Sequence, residues 1–236
     1  MNPMPENQKN PSQSRPSVLL FDVNETLLDL SDMQQAINEA FGNELAFKLW
    51  FAHLLEYALV ENSTDQYHDF SEVGMAVMGM TAKILEKDMP EKKQQELVGM
   101  VKETKPHLDV VPGLEKLQQA GFRMATLTNS PAKTSIPHLE EVDLKGFFEK
   151  TFSVDSVQKF KPHSSPYQYA ADQLGVNLSD MMMVAAHGWD MAGALRAGMR
   201  AAFISRPGHS LYPLAPEPEL TAPTLLELAE KLVKME

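Results

Sequence analysis

The residues able to do chemistry in this chain stand at the ends of its apolar runs. Residues 17–22 (SVLLFD) end in Asp22, which opens Asp22-Val23-Asn24-Glu25-Thr26-Leu27. Alone, Asp22 and Thr26 could be turn caps, the common use of such residues after a strand. Three more polar groups follow later runs: Thr128-Asn129-Ser130, Lys161-Pro162 and His187-Gly188-Trp189-Asp190. Together they supply a carboxylate, a hydroxyl, an amide, an amine and a second carboxylate, a set that turns as such do not require. With Lys+Arg 21 against Asp+Glu 32, the formal net charge is −11. A small anionic substrate therefore needs its own local cation, and Lys161 supplies one within a motif.

These groups are positioned by alternating elements. Short apolar runs predict strands at residues 17–22, 123–128, 151–154, 181–185 and 201–204, continuous enough to be buried on both faces of a sheet. Helical patterns separate them at 113–120, 135–142, 167–174 and 192–197. Strand and helix in alternation imply an α/β fold with a Rossmann-like parallel sheet and right-handed crossovers. All four polar groups then meet at the sheet's carboxyl edge, where open α/β sheets bind ligands. The stretch between Leu28 and His107 reads as helix throughout, with Met33, Ile37 and Phe41 at helical spacing, then 47–60, 70–85 and 91–103. An all-helical block after the first strand predicts a cap over that edge, giving a catalytic core of 17–28 and 108–236 with the cap at 29–107.

Composition narrows the function classes. The chain of 236 residues, 43% hydrophobic, can bury a sizeable core. Its acidity and lack of a basic run argue against nucleic acid and anionic membrane surfaces. With no cysteine, a disulfide framework, a thiolate nucleophile and a cysteine-bound metal are excluded. The opening MNPMPENQKNPSQSRPS is polar and lacks the apolar stretch of a signal peptide, so residues 1–16 are expected to be a disordered lead-in. No apolar run approaches a membrane span of about 18 residues, and a soluble cytoplasmic protein is expected. Met181-Met182-Met183 reads as strand core. The Glu227–Lys234 charges read as a solvated helix face, and His107, His138, His163 and His209 look too scattered for zinc.

Four motifs in this order at these strand ends resemble those of the haloacid dehalogenase superfamily, over residues 17 to about 207. The resemblance implies that fold with a helical cap, and Asp22 as nucleophile. The phosphatase majority of the superfamily carries a second Asp two residues after the nucleophile; here that residue is Asn24, which gives up no proton at neutral pH. Two carboxylates at the fourth motif would hold Mg²⁺, but residues 185–190 contain only Asp190. A halide leaves without a proton, and the chain resembles the 2-haloacid dehalogenase branch. That branch lacks the second Asp and keeps the Trp189-Asp190 pair. Further likeness lies in Trp50, Leu55-Glu56-Tyr57, Tyr67-His68-Asp69-Phe70 and Lys161-Pro162 with Tyr167 following.

Carried over residue by residue, the resemblance implies that Asp22 attacks C2 of a small 2-halo acid, forming an ester without metal or cofactor. Thr26 holds the nucleophile's rotamer, and Thr128 grips the substrate carboxylate. Asn129 donates toward substrate or halide. Lys161 keeps Asp22 ionised, Asp190 positions Lys161 and helps orient the hydrolytic water, and Tyr167 and Trp189 border the pocket. Preference for the S-enantiomer and a homodimer come by the same route. Two departures stand out. Phe51 occupies the place of the Arg that receives halide, and His187 that of a family Asn. Such a His could donate to the departing halide, or be a half-buried residue bonded to a backbone carbonyl. His53 points to another helix face than Phe51. A hydrolase of another small acid or phosphate ester, or a degenerate metabolite-binding scaffold, stand as alternatives. Against the scaffold, a buried charged trio is costly unless paired.

Overall fold

A computed structural model describes residues 14–235, so most of the expected lead-in lies outside the described residues. Within the part described, the Arg15 guanidinium lies 3.7 Å over the Phe122 ring. Six strands form a parallel sheet in the order β5-β4-β1-β6-β7-β8: β1 (Val18–Phe21), β4 (Met124–Thr128), β5 (Lys150–Ser153), β6 (Met181–Ala185), β7 (Arg200–Ile204) and β8 (Leu220–Ala222). The register pairs Leu20 with Ala125 on one side and with Met183 on the other. Because successive side chains point to opposite faces, Val18, Leu20, Met181 and Met183 join one apolar cluster, and Leu19, Phe21 and Met182 the other. All three methionines of the run are buried in strand core.

Helices α5 (Val110–Gln119), α6 (Ala132–Glu141), α7 (Ser164–Leu174) and α8 (Gly188–Arg196) cross between strands, and α9 (Leu225–Leu232) closes the chain. The four crossing helices start three or four residues before their sequence patterns; in α6 and α7 these first turns, Ala132-Lys133-Thr134 and Ser164-Ser165-Pro166, carry no large apolar residue to set a period. The sixth strand, β8, was not expected. It is three residues long with an exposed Thr221, too short and polar to stand out.

The inserted block carries α1 (Ser31–Phe41), α2 (Ala46–Ser63), α3 (Phe70–Ile84) and α4 (Glu91–Gly99), followed by a 3₁₀ turn, Met100–Glu103. The expectation of helix throughout needs one correction. Strand β2 (Leu28–Asp29) pairs antiparallel with β3 (Lys105–Pro106), closing the insertion at its base. Two-residue strands set no period that a sequence pattern could reveal. We propose 29–107 as the limits of the cap on this closure. Asp69 begins α3 with a capping box, accepting from Ser71 N and Glu72 N while Glu72 bonds back to its N–H. Its other oxygen accepts from Lys133 of α6 at 2.7 Å, tying cap to core. The Trp50 indole donates to Gly74 O at 3.0 Å, joining α2 to α3. Among the described residues, no helix is long and apolar enough to cross a membrane.

Candidate active site

Asp22 lies immediately beyond β1, so the parallel sheet itself delivers its carboxylate to the carboxyl edge. Its Oδ1 accepts from Lys161 Nζ at 2.9 Å; its Oδ2 accepts from Thr26 Oγ1 at 2.7 Å and from His187 Nδ1 at 2.9 Å. The Thr26 hydroxyl in turn accepts from Ala186 N–H at 3.0 Å, which leaves it one orientation. The turn is held from outside by Arg206, whose Nε and Nη2 donate to Thr26 O at 2.9 and 2.8 Å while Nη1 pairs with Asp109 at 3.0 Å. Within the turn Glu25 adopts φ 57°, a left-handed conformation uncommon for a residue with a side chain.

Lys161 is buried, and its ammonium spends all three protons, on Asp22, on Asp190 Oδ2 at 2.6 Å and on Leu127 O at 2.9 Å. Its backbone is clamped by Asn129, whose Oδ1 accepts from Lys161 N at 2.9 Å and whose Nδ2 donates to Lys161 O at 3.3 Å. Asn62, near the end of α2, holds neighbouring Phe160 in the same two-bond fashion at 2.9 Å each. Asp190 comes from the first turn of α8, and its Oδ1 accepts from Tyr167 OH at 2.5 Å. This close packing requires a glycine at 193, where an added Cβ would lie 2.7 Å from Tyr167 OH and against Pro162.

Burial alone would raise the Asp22 carboxyl. Lys161, His187 and the Thr26 hydroxyl outweigh it and hold the group well below the usual carboxylate range. Burial likewise opposes the charge on Lys161, but Asp190 and Asp22 hold its ammonium above the ordinary value. The same geometry governs His187. Desolvation would lower it, yet the hydrogen bonds to Asp22 and Glu25 push it up to about 9. With Nδ1 on Asp22 and Nε2 on Glu25 Oε2, also at 2.9 Å, both ring nitrogens face carboxylates and both must donate. His187 is an imidazolium between two anions.

The structure brings together Asp22, Thr26, Lys161, Tyr167, His187 and Asp190, and it changes several expected assignments. Asn129 clamps the Lys161 backbone through both amide atoms, which leaves one Nδ2 proton uncommitted. Tyr167 is not a pocket wall: it is fully buried behind Asp190. Asp190 has both oxygens engaged and no exposed surface, so it positions Lys161 but cannot orient water. His187 is neither a carbonyl-bonded residue nor placed as a halide receiver. A displaced halide departs opposite the attacking oxygen, whereas His187 sits beside it. The Phe51 ring is stacked on His187 at 6.0 Å and on Phe47 at 5.8 Å. Trp189 flanks His187 at 5.0 Å and lies 5.7 Å from the Lys161 ammonium. The Thr128 hydroxyl accepts from Ser130 N at 3.1 Å, and Ser130 Oγ accepts from Asn24 Nδ2 at 3.0 Å.

Between cap and core, Asn24, Ser130 and Thr134 meet Trp50, Phe51, Leu54 and Phe70 around a cleft of about 40 Å³. Glu25, Asn62, Arg206 and His209 were missed in the sequence. Each acts across a long separation, and nothing local distinguishes them from surface polar residues. Of the four histidines read as too scattered for zinc, His209 alone joins a cluster. Among the described residues, Glu25, His187 and His209 bring ligand-type atoms within 4.8 Å of one another. With both His187 nitrogens donating to carboxylates, the group offers a cation no free imidazole lone pair there, and it is a hydrogen-bonded charge cluster.

A family model for haloacid dehalogenase-like hydrolases matches residues 16–198. The chain belongs to this family. Among haloacid dehalogenase-like hydrolases, it is 28% identical over 210 residues to haloacetate dehalogenase H-2 of Moraxella sp. (strain B), spanning 88% of this chain and 93% of that one. It is 26% identical to the (S)-2-haloacid dehalogenase of Pseudomonas sp. (strain YL), over 90% of this chain and 92% of that one. Its fold matches the L-2-haloacid dehalogenase of Xanthobacter autotrophicus, also solved with chloropropionic acid covalently bound, at a TM-score of 0.86 and 22% identity. That match covers 94% of this chain and 100% of the other.

Proposed function

We propose that this hydrolase removes halide from small 2-halo carboxylic acids, haloacetates and 2-halopropionates, through an ester on Asp22 and without a metal. The observation that carries the reading is the Asp22 carboxylate, kept ionised by a buried ammonium, two residues before Asn24, which lines a small, largely apolar cleft. An ionised carboxylate is a competent nucleophile toward carbon, and chloride or bromide leaves without protonation. Lys161 offsets the charge when a second carboxylate arrives, and Thr128 with Ser130 receives that carboxylate. Mg²⁺-dependent phosphoryl transfer fits poorly. Asn24, at the position of the acid, bonds Ser130, and Asp190 is committed to Lys161 and Tyr167. The relatives named above carry haloacetate and 2-haloacid activities, which agrees with this choice.

The test is halide release from chloro-, bromo- and fluoroacetate and both 2-chloropropionates, beside a generic phosphatase substrate with Mg²⁺. Asp22→Asn should lose turnover while folding normally, because an amide is nearly the size of a carboxylate but a far weaker nucleophile. Activity confined to the phosphate ester would overturn the reading. The same reading includes cytoplasmic residence and a homodimer, the latter measured by sedimentation.

A further inference from the structure

The groups that touch Asp22 differ in what they can do with a proton. Thr26 is a neutral hydroxyl fixed between Asp22 and Ala186, and Lys161 has all three protons engaged. Only His187 combines an ordinary titration near neutrality with contact to the nucleophile, and loss of the Asp22 charge removes one of the two anions that raise it. Its Nδ1 faces the nucleophile, while its Nε2 faces Glu25. Glu25 also borders a solvent-open cleft of about 300 Å³ with Asp29, His107, Arg206 and His209. Glu25 holds this contact from a left-handed backbone conformation, and residues in such conformations concentrate at working sites.

Resting on the dehalogenase reading, we propose that His187 is the general base that hydrolyses the Asp22 ester, with Glu25 as its positioning residue. In the first half-reaction an Asp22 oxygen bonds to C2, and the C2–halide bond breaks with its electron pair leaving on the halide. The carboxylate becomes a neutral ester, so one of the two anions holding the imidazolium is gone. The Nδ1 proton then leaves through the water that enters beside the ester, and Glu25 keeps Nε2–H in place. In the second half-reaction water adds to Asp22 Cγ and gives one proton to Nδ1. The bond from Cγ to the substrate-bearing oxygen breaks. The released alkoxide takes the hydroxyl proton of the new carboxyl group, restoring the Asp22 carboxylate and the imidazolium. One proton per halide is released, as the overall hydrolysis requires. Asp22, Glu25, Lys161 and His209 are the titratable groups facing His187, and His209, lowered by its own burial, stays neutral beside it.

The experiment is rapid-quench kinetics with bromoacetate on the full chain, following halide release and the Asp22 ester by intact-protein mass spectrometry. His187→Asn should release one halide per site and then stall as the ester, with its hydrolysis slowed by about a hundredfold or more. Glu25→Gln should slow the same step by roughly ten- to a hundredfold. Removing an anion lowers the proton affinity of His187, so the pH limb of ester hydrolysis should also move to lower pH. A merely structural residue would not shift that limb. Ester hydrolysis at the wild-type rate in His187→Asn, or an unmoved limb in Glu25→Gln, overturns the proposal. So does loss of the halide burst itself, which would place His187 in the displacement. If His187→Asn does not fold, the Glu25→Gln limb decides. No halide from wild type would instead overturn the dehalogenase reading, and the relay with it.

Discussion

Replacing Lys161 with Met tests the electrostatic core of the site. The ammonium stands 2.9 Å from Asp22 and 2.6 Å from Asp190, and its side chain is 0% exposed. Met fills similar space but leaves two buried carboxylates facing each other uncompensated. Breaking a buried pair from one side costs about 3–5 kcal/mol, a large share of a domain stability of about 5–15 kcal/mol. The loss should depend on pH. Without Lys161, burial and mutual repulsion raise the carboxyls above their unfolded value of 3.8. The folded state of the variant therefore gains relative stability as pH falls and one carboxyl protonates. Urea denaturation at pH 5 and pH 8 should show the larger deficit at pH 8, and adding Asp190→Asn should recover part of it. Halide release in a single turnover should fall and its pH limb move upward, because the nucleophile is now protonated nearer neutrality. Wild-type stability at pH 8 with an unchanged limb would refute the claim that Lys161 holds Asp22 ionised.

Other outcomes follow from the same geometry. EDTA should leave halide release unchanged, since the Asp190 carboxylate is already committed; strong stimulation by added Mg²⁺ would contradict this. The imidazolium of His187, raised from 6.5 to about 9, stabilises the fold fully below about pH 6.5 and loses that contribution as pH rises through about 9. The contribution is about 3 kcal/mol, and melting curves of wild type against His187→Asn should converge at alkaline pH. Phe51→Arg restores the family residue but places a guanidinium on an imidazolium now stacked at 6.0 Å. It should lower the melting temperature and fail to speed chloride release, as single-turnover kinetics would show.

The α/β class and the four polar strand ends were legible in the sequence because parallel strands buried on both faces must be continuously apolar. A chain that alternates them with helices has one sheet edge on which to place its polar residues. Asp22, Lys161 and Asp190 could be named for that reason, and Thr26 with them. What each residue touches was not legible. Asn129 clamps the Lys161 backbone, Tyr167 lies behind Asp190, and His187 pairs with Glu25 as well as Asp22. Hydrogen-bond partners depend on rotamers and on close approach between segments far apart in the chain, as with Glu25 and His187, Thr26 and Arg206, or Asn62 and Phe160. The charge of His187 shows the difference most clearly. An isolated imidazole titrates near 6.5, and only the folded chain, by closing two carboxylates around a buried ring, keeps it a cation at neutral pH.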